Sequence, residues 1–178
     1  MPEPAIHSSV VFAVSAPWLG VKRALVLAAL AVVPDLDVLF HVHRSATHSA
    51  PLVILAYAPV LAAAYRWGRL RDASLGLLAI LSHLLMDCFQ TYTPLLYPLV
   101  DKSIWVNFSL SVVIASPLPA LRLSLGVEEI PLNFNYFQTL DAPLFTSEGF
   151  AVSALLFAIP LLASLGRGRE GRRGRQPL

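Results

Sequence analysis

Val33-Pro34-Asp35-Leu36-Asp37 and, shortly after it, His43-Arg44-Ser45-Ala46-Thr47-His48-Ser49 interrupt an otherwise apolar chain. Read as a polar loop between membrane helices, this stretch gives one fold; read as a turn inside a soluble domain, it gives another. Composition favours the membrane. The 178 residues are 56% hydrophobic and 13% charged, with mean hydropathy +0.66. A soluble domain carries about 25% charged residues, roughly twice this coat.

Working outward, residues 24–33 are almost unbroken Ala, Leu and Val, and Pro34 closes them. Upstream, Lys22 and Arg23 follow another short run, 5–18, that His7, Ser8 and Ser9 interrupt. Downstream, Ser49 and Pro51 read as a helix start. A run at 52–65 is closed by Arg66, Arg69 and Arg71; the next, 73–89, carries His83 and Asp87. The last covers 150–165, with Pro160 as a kink. The expected fold is an all-α integral membrane protein with about five short transmembrane helices, several below the ~20 residues of a full span.

Residues 90–148 differ. Prolines punctuate them, and they are expected to be irregular or partly extended. Within them 103–115 alternates (Ile104, Val106, Phe108, Leu110, Val112), which suits an extended or interface-lying segment as well as a span. The expected organisation is one membrane-embedded domain, 1–166, and a flexible basic tail, 167–178. The lone Cys88 excludes an intramolecular disulfide and a Cys-rich zinc site. The first segment lacks a basic n-region, so no cleavable signal peptide is expected.

Arg167, Arg169, Arg172, Arg173 and Arg175 follow an apolar run and mark a cytoplasmic end. With Lys22, Arg23 and the 66–71 arginines also inside, five crossings put the N-terminus outside. His7, the 35–49 loop and the Asp87 end of the fourth helix then share the outer face of the cell membrane. That convergence argues for one site.

His83 and Asp87, four apart, stack on one helix face, a spacing that presents nitrogen and oxygen ligands to one metal. Asp35 and Asp37 alternate past the helix-ending proline and are expected in an extended turn. His43 and His48 follow in a loop. Imidazole and carboxylate without thiolate suit Zn²⁺, with Mn²⁺ or Fe²⁺ as alternatives. More donors than one zinc needs point to one or two ions, the second bridged by a carboxylate. His41 fits no spacing. Singly, each has a plainer reading: a helix cap, a core histidine, a solvated turn. Together, ionisable groups beside apolar runs need partners.

Pro34-Asp35-Leu36-Asp37, His43 to Ser49, Ser82-His83-Leu84-Leu85-Met86-Asp87 and Pro94-Leu95-Leu96-Tyr97-Pro98 resemble the YdjM-like family of membrane-bound, metal-dependent hydrolases. Ser45 stands where that family usually has glycine, and a glycine before Pro94 is missing. The family is in turn similar to the helical zinc-dependent phospholipase C fold. The resemblance implies a phospholipase-C-like bundle in which Asp37 or Asp35, His48, His83 and Asp87 hold one metal. His7 and a bridging Asp87 hold a second.

The function so implied is a phosphodiesterase-like hydrolase that cleaves a phosphoester or similar bond with metal-activated water. The site's place at the outer membrane–water boundary points to a membrane lipid or lipid-linked substrate. Asp35 or Asp37 would accept the proton. Arg44 would clamp a phosphate oxygen or pair with an aspartate, and Thr47 and Ser49 would orient His48 or cap the next helix. The alternative is a non-catalytic membrane protein whose metal is structural. A nucleic-acid-binding tail is not expected, since no aromatic residues interleave its arginines.

Overall fold

Past Arg69, small and apolar residues recur at helical spacing, and one stripe of α4 (Leu70–Gln90) is buried along Ala73, Gly76, Ile80, His83 and Asp87. The stripe begins apolar and ends polar, and the other elements are placed around it. The computed structural model describes residues 3–114, 118–134, 136–139 and 146–173. In it, α1 (Pro4–Leu19) and α2 (Val21–Leu30) are joined by Gly20 at φ 79°, a left-handed turn that glycine takes without strain. Two 3₁₀ helices follow, Val33–Phe40 and Ala46–His48. Then come α3 (Ala50–Arg66), α4, the strands β1 (Lys102–Ile114) and β2 (Pro119–Pro131), and α5 (Ser147–Arg173).

The core lies where α1 meets α2 and α5. Phe12, Ala16, Ala24 and Ala28 are buried together, and the Phe12 and Phe157 rings lie 4.8 Å apart. Ser9 and Ser153, both buried, satisfy each other across the α1–α5 contact at 3.3 Å. Ser49 caps α3 by accepting from the Leu52 backbone N–H at 3.3 Å, as the Ser49–Pro51 pattern predicts.

The all-α, five-span expectation is overturned. Among the described residues there are five α-helices, but only two are long and apolar enough to cross a membrane: α4, and residues Ser147–Ser164 of α5. The reason is length. A helix rises 1.5 Å per residue, so the 10 residues of α2 reach about 15 Å, against roughly 30 Å of hydrocarbon. α1 and α3 are apolar but shorter than a full span. The chain is also not all-α: β1 and β2 pair antiparallel from Lys102↔Pro131 to Ile114↔Pro119. The alternation seen at 104–112 is thus the pleat of a hairpin. Pro160 lies inside α5, which continues through Arg173; residues 174–178 of the basic stretch lie outside the described residues.

α3 and α4 approach closely at Gly76. A Cβ there would stand 2.6 Å from the Tyr57 hydroxyl and 3.2 Å from Leu30. Gly76→Ala should therefore lower the thermal midpoint of the detergent-solubilised protein, with a cost of about 1–3 kcal/mol as overpacking gives. Adding Tyr57→Phe, which removes the clashing oxygen, should recover most of the loss. An unchanged midpoint in Gly76→Ala would show that the contact is loose.

Candidate metal centre

Three polar segments meet at the C-terminal half of α4. α4 supplies His83 and Asp87, one turn apart and fully buried. α1 brings His7, also fully buried, its ring 4.1 Å from that of His83. The 3₁₀ helices bring Asp35, Asp37 and His48.

Asp35 and Asp37 lie in a 3₁₀ helix rather than the expected extended turn. An extended chain would point both to one side. At three residues per turn they diverge by about 120° instead. The two carboxylates accordingly meet opposite nitrogens of one imidazole: Asp35 Oδ1 lies 3.5 Å from His48 Nε2, and Asp37 Oδ2 lies 3.3 Å from His48 Nδ1.

On the Nε2 side four atoms converge. His48 Nε2 and His83 Nε2 are 3.3 Å apart. Asp35 Oδ1 is 3.2 Å from His83 Nε2; Asp87 Oδ2 is 3.4 Å from His48 Nε2 and 3.8 Å from His83 Nε2. Ligands held ~2.1 Å from a tetrahedral zinc stand roughly 3.4 Å apart, so these separations fit one such ion. The other Asp87 oxygen, Oδ1, faces His7 Nε2 at 3.3 Å, the bridging arrangement a second ion would use. His7, His83 and Asp87 form one group with ligand atoms within 4.8 Å of one another, and Asp35, His43 and His48 form another.

Hydrogen bonding supports the fit. Both oxygens of Asp35, both nitrogens of His7, His83 Nδ1 and Asp87 Oδ1 are buried without a hydrogen bond among the described residues. Buried polar atoms left so are costly, and a cation among them is the simplest partner.

Asp37 belongs to the next layer. It accepts from Thr47 Oγ1 at 2.7 Å and lies 3.2 Å from His43 Nδ1; Ser45 reaches it with backbone N–H and hydroxyl at 3.4 Å. A carboxylate on the far nitrogen of a ligating histidine fixes its tautomer and orientation. His43 thus touches Asp37 and joins the Asp35 group without entering the four-atom set. Arg44, in the left-handed region at φ 56°, sends Nε to Asp87 Oδ2 at 3.2 Å and keeps a second guanidinium nitrogen buried without a hydrogen bond. Ser45 itself is at φ −92°, so its backbone does not need the glycine usual there. The reach of Ser45 to Asp37 was not anticipated; only its place between Asp37 and His48 hinted at it. His41 stays outside, its ring against Tyr136 and Phe137.

Burial raises Asp35 and Asp37, but the facing imidazoles, with Thr47 on Asp37, more than offset this and hold both carboxyls below the usual range. Burial lowers His48; Asp35 and Asp37 outweigh it and push it up to about 9. A metal must displace that proton.

These features define a mostly helical protein with two helices able to cross a membrane and a buried histidine–aspartate cluster toward the end of one of them. A family model described as YdjM inner membrane protein matches residues 5–167, and the chain belongs to that family. No curated protein and no solved structure matches it.

The pH dependence of the chelator-treated protein follows from these shifts. The His48 contribution is complete below 6.5 and is lost as pH rises through about 9. The Asp35 and Asp37 contributions are present above 3.8 and are lost only in stronger acid. The metal-free thermal midpoint should therefore be highest between about pH 4 and 6.5 and fall toward pH 9. His48→Gln should flatten that fall. A midpoint that climbs from pH 6.5 to 9 would contradict the pairing.

Proposed function

We propose that this inner membrane protein is a metal-dependent hydrolase acting on a phosphoester or similar bond of a lipid or lipid-linked substrate. The observation that carries the reading is the four-atom set Asp35–His48–His83–Asp87, with His7 facing the other Asp87 oxygen. Zinc fits the donor types. A bound divalent ion supplies Lewis acidity and makes water a nucleophile at neutral pH.

The chain's own groups do the rest. Asp37, with Thr47 and His43, holds His48 in orientation. Asp35 keeps an oxygen, Oδ2, that is free of hydrogen bonds and can accept a proton. Arg44, tied to Asp87 through Nε, has a buried nitrogen left to donate to a phosphate oxygen. A groove of about 380 Å³, lined by Val33, Pro34, Leu52, Val53, Tyr57 and Ile80, reaches Ala46 and Thr47 beside the cluster and suits an acyl chain.

For orientation, Lys22 and Arg23 lie near the start of α4, where Arg23 and Arg69 pair with Asp72 at 3.8 and 3.4 Å. With the basic end of α5, this favours a cytoplasmic start for α4 and an outward-facing cluster. A reporter fused after Leu178 should accordingly be cytoplasmic.

A structural metal is the second reading, because four protein donors close a site in the manner of structural zinc. Metal content and turnover separate the two. The wild type purified in detergent should carry transition metal, and His83→Ala/Asp87→Ala should carry only traces. Asp37→Asn should keep the fold but bind metal about 10–100-fold more weakly. Hydrolysis of a phosphodiester panel by wild type, lost in Asp35→Asn, supports the hydrolase. Stoichiometric metal without turnover supports the staple, and trace metal in the wild type sinks both.

A further inference from the structure

We propose that the β1–β2 hairpin is an in-plane membrane anchor that lays one face on the lipid surface beside the end of α4. Between residues 106 and 112 of β1 and their partners on β2, the register divides the hairpin by face. Phe108, Leu110 and Val112 oppose Leu125, Leu123 and Leu121, and side chains of paired residues share a face. All six are more than half exposed. On the other face Ser109 opposes Ser124, Ser111 opposes Arg122, and Asn107 donates to Glu128 Oε1 at 2.7 Å.

Only the root of the hairpin is packed. Thr93, fully buried, exchanges two backbone hydrogen bonds of 2.9 Å with Ile104, and beyond Asn107 every described β1 residue except Val113 is exposed. An isolated two-stranded sheet is marginal in water, and one with a bare apolar face more so. Something must cover that face.

Three observations name the lipid surface. The chain is an inner membrane protein. Tyr92 and Trp105 pair at the hairpin root with ring centroids 5.4 Å apart, and Tyr92 donates to Glu128 Oε2 at 2.7 Å. Tyr and Trp beside the end of a spanning helix mark the headgroup level. Exposed Leu85 and Phe89 bring the apolar surface of α4 up to this same root. Insertion across the bilayer is excluded, because the open edges of a two-stranded sheet leave backbone groups that hydrocarbon cannot satisfy. The hairpin therefore lies flat, apolar face to the acyl boundary and polar face to water, and this holds whether or not the metal centre is catalytic.

Single cysteines in the full-length protein, with Cys88 replaced by alanine, test it. Nitroxide labels at Leu110, Leu123 and Leu125 and at Ser109, Ser111 and Ser124 are compared after reconstitution into phosphatidylethanolamine/phosphatidylglycerol vesicles. Labels on the leucine positions should collide several-fold more with oxygen than with a water-soluble nickel chelate, and the serine positions should show the reverse. Equal nickel access on both faces overturns the proposal. So do leucine-face labels shielded from both relaxants and broadened by spin–spin coupling that vanishes on dilution with unlabelled protein, because a second copy then covers the face.

Discussion

The Asp87 carboxylate is the constraint on which the rest of the structure depends. It is fully buried in one of the two helices long and apolar enough to span a membrane, where an unpaired charge is untenable. Its neighbours arrive from every quarter: His7 from α1, Arg44 from the turn after the first 3₁₀ helix, His48 from the second, and His83 from one turn earlier on α4. Removing any of them weakens that compensation, and the shared demand couples four segments of chain. Polar demand thus organises this end of the molecule, while close helix packing, with Phe12 and Gly76 at its contacts, organises the rest.

The 3₁₀ winding after Pro34 divides the labour between the aspartates. With both on one side, His48 would face two carboxylates at one nitrogen and none at the other. With about 120° between them, the ring is gripped at both nitrogens and cannot rotate. The left-handed backbone at His41 and Arg44, a cost of about 1–3 kcal/mol each, turns the chain so that the 41–45 segment returns over α4. That strain is held where the fold supplies partners: the Tyr136 and Phe137 rings for His41, Asp87 for Arg44.

Much of this was legible in the chain. The His83/Asp87 spacing, the Ser49 cap and the clustering of His7 with the 35–49 stretch are local or compositional signals, and the structure brings those residues together. The span count was not legible, because a short apolar helix packed on its neighbours and a true span share a composition and differ in length. Residues 119–131 hid their strand behind Arg122, Glu128 and Glu129, whose partners lie on the opposite strand or in residue 92. Gly126 reads as a breaker in sequence, yet a Cβ there would stand 2.6 Å from the Asn107 side chain, so it makes room for a cross-strand neighbour. Alternation runs through 104–112 and again through Leu121, Leu123, Leu125 and Val127, but which strand pairs with which is written in neither alone. The roles of Asp35 and Asp37 were undecidable for a related reason: they follow from helix type, which two residues do not reveal.

The exit of α4 joins the two unusual parts of the molecule. Asp87 and Cys88 are buried in its last turns, Thr93 just beyond is buried in the bridge to Ile104, and Tyr92 sits between them against Trp105. Cluster and hairpin root therefore stand on one stretch of backbone and share one depth. If that depth is the headgroup level, as the aromatic pair argues, then the Arg44 nitrogen and the facing Asp87 and His7 side chains lie where a lipid phosphate would be. The groove at Tyr57 and Ile80 lies farther toward the start of α4, on the side where its acyl chain would run. On the proposed reading, a soluble phosphoester would gain nothing from that arrangement, whereas a substrate held by the membrane itself would gain both contacts.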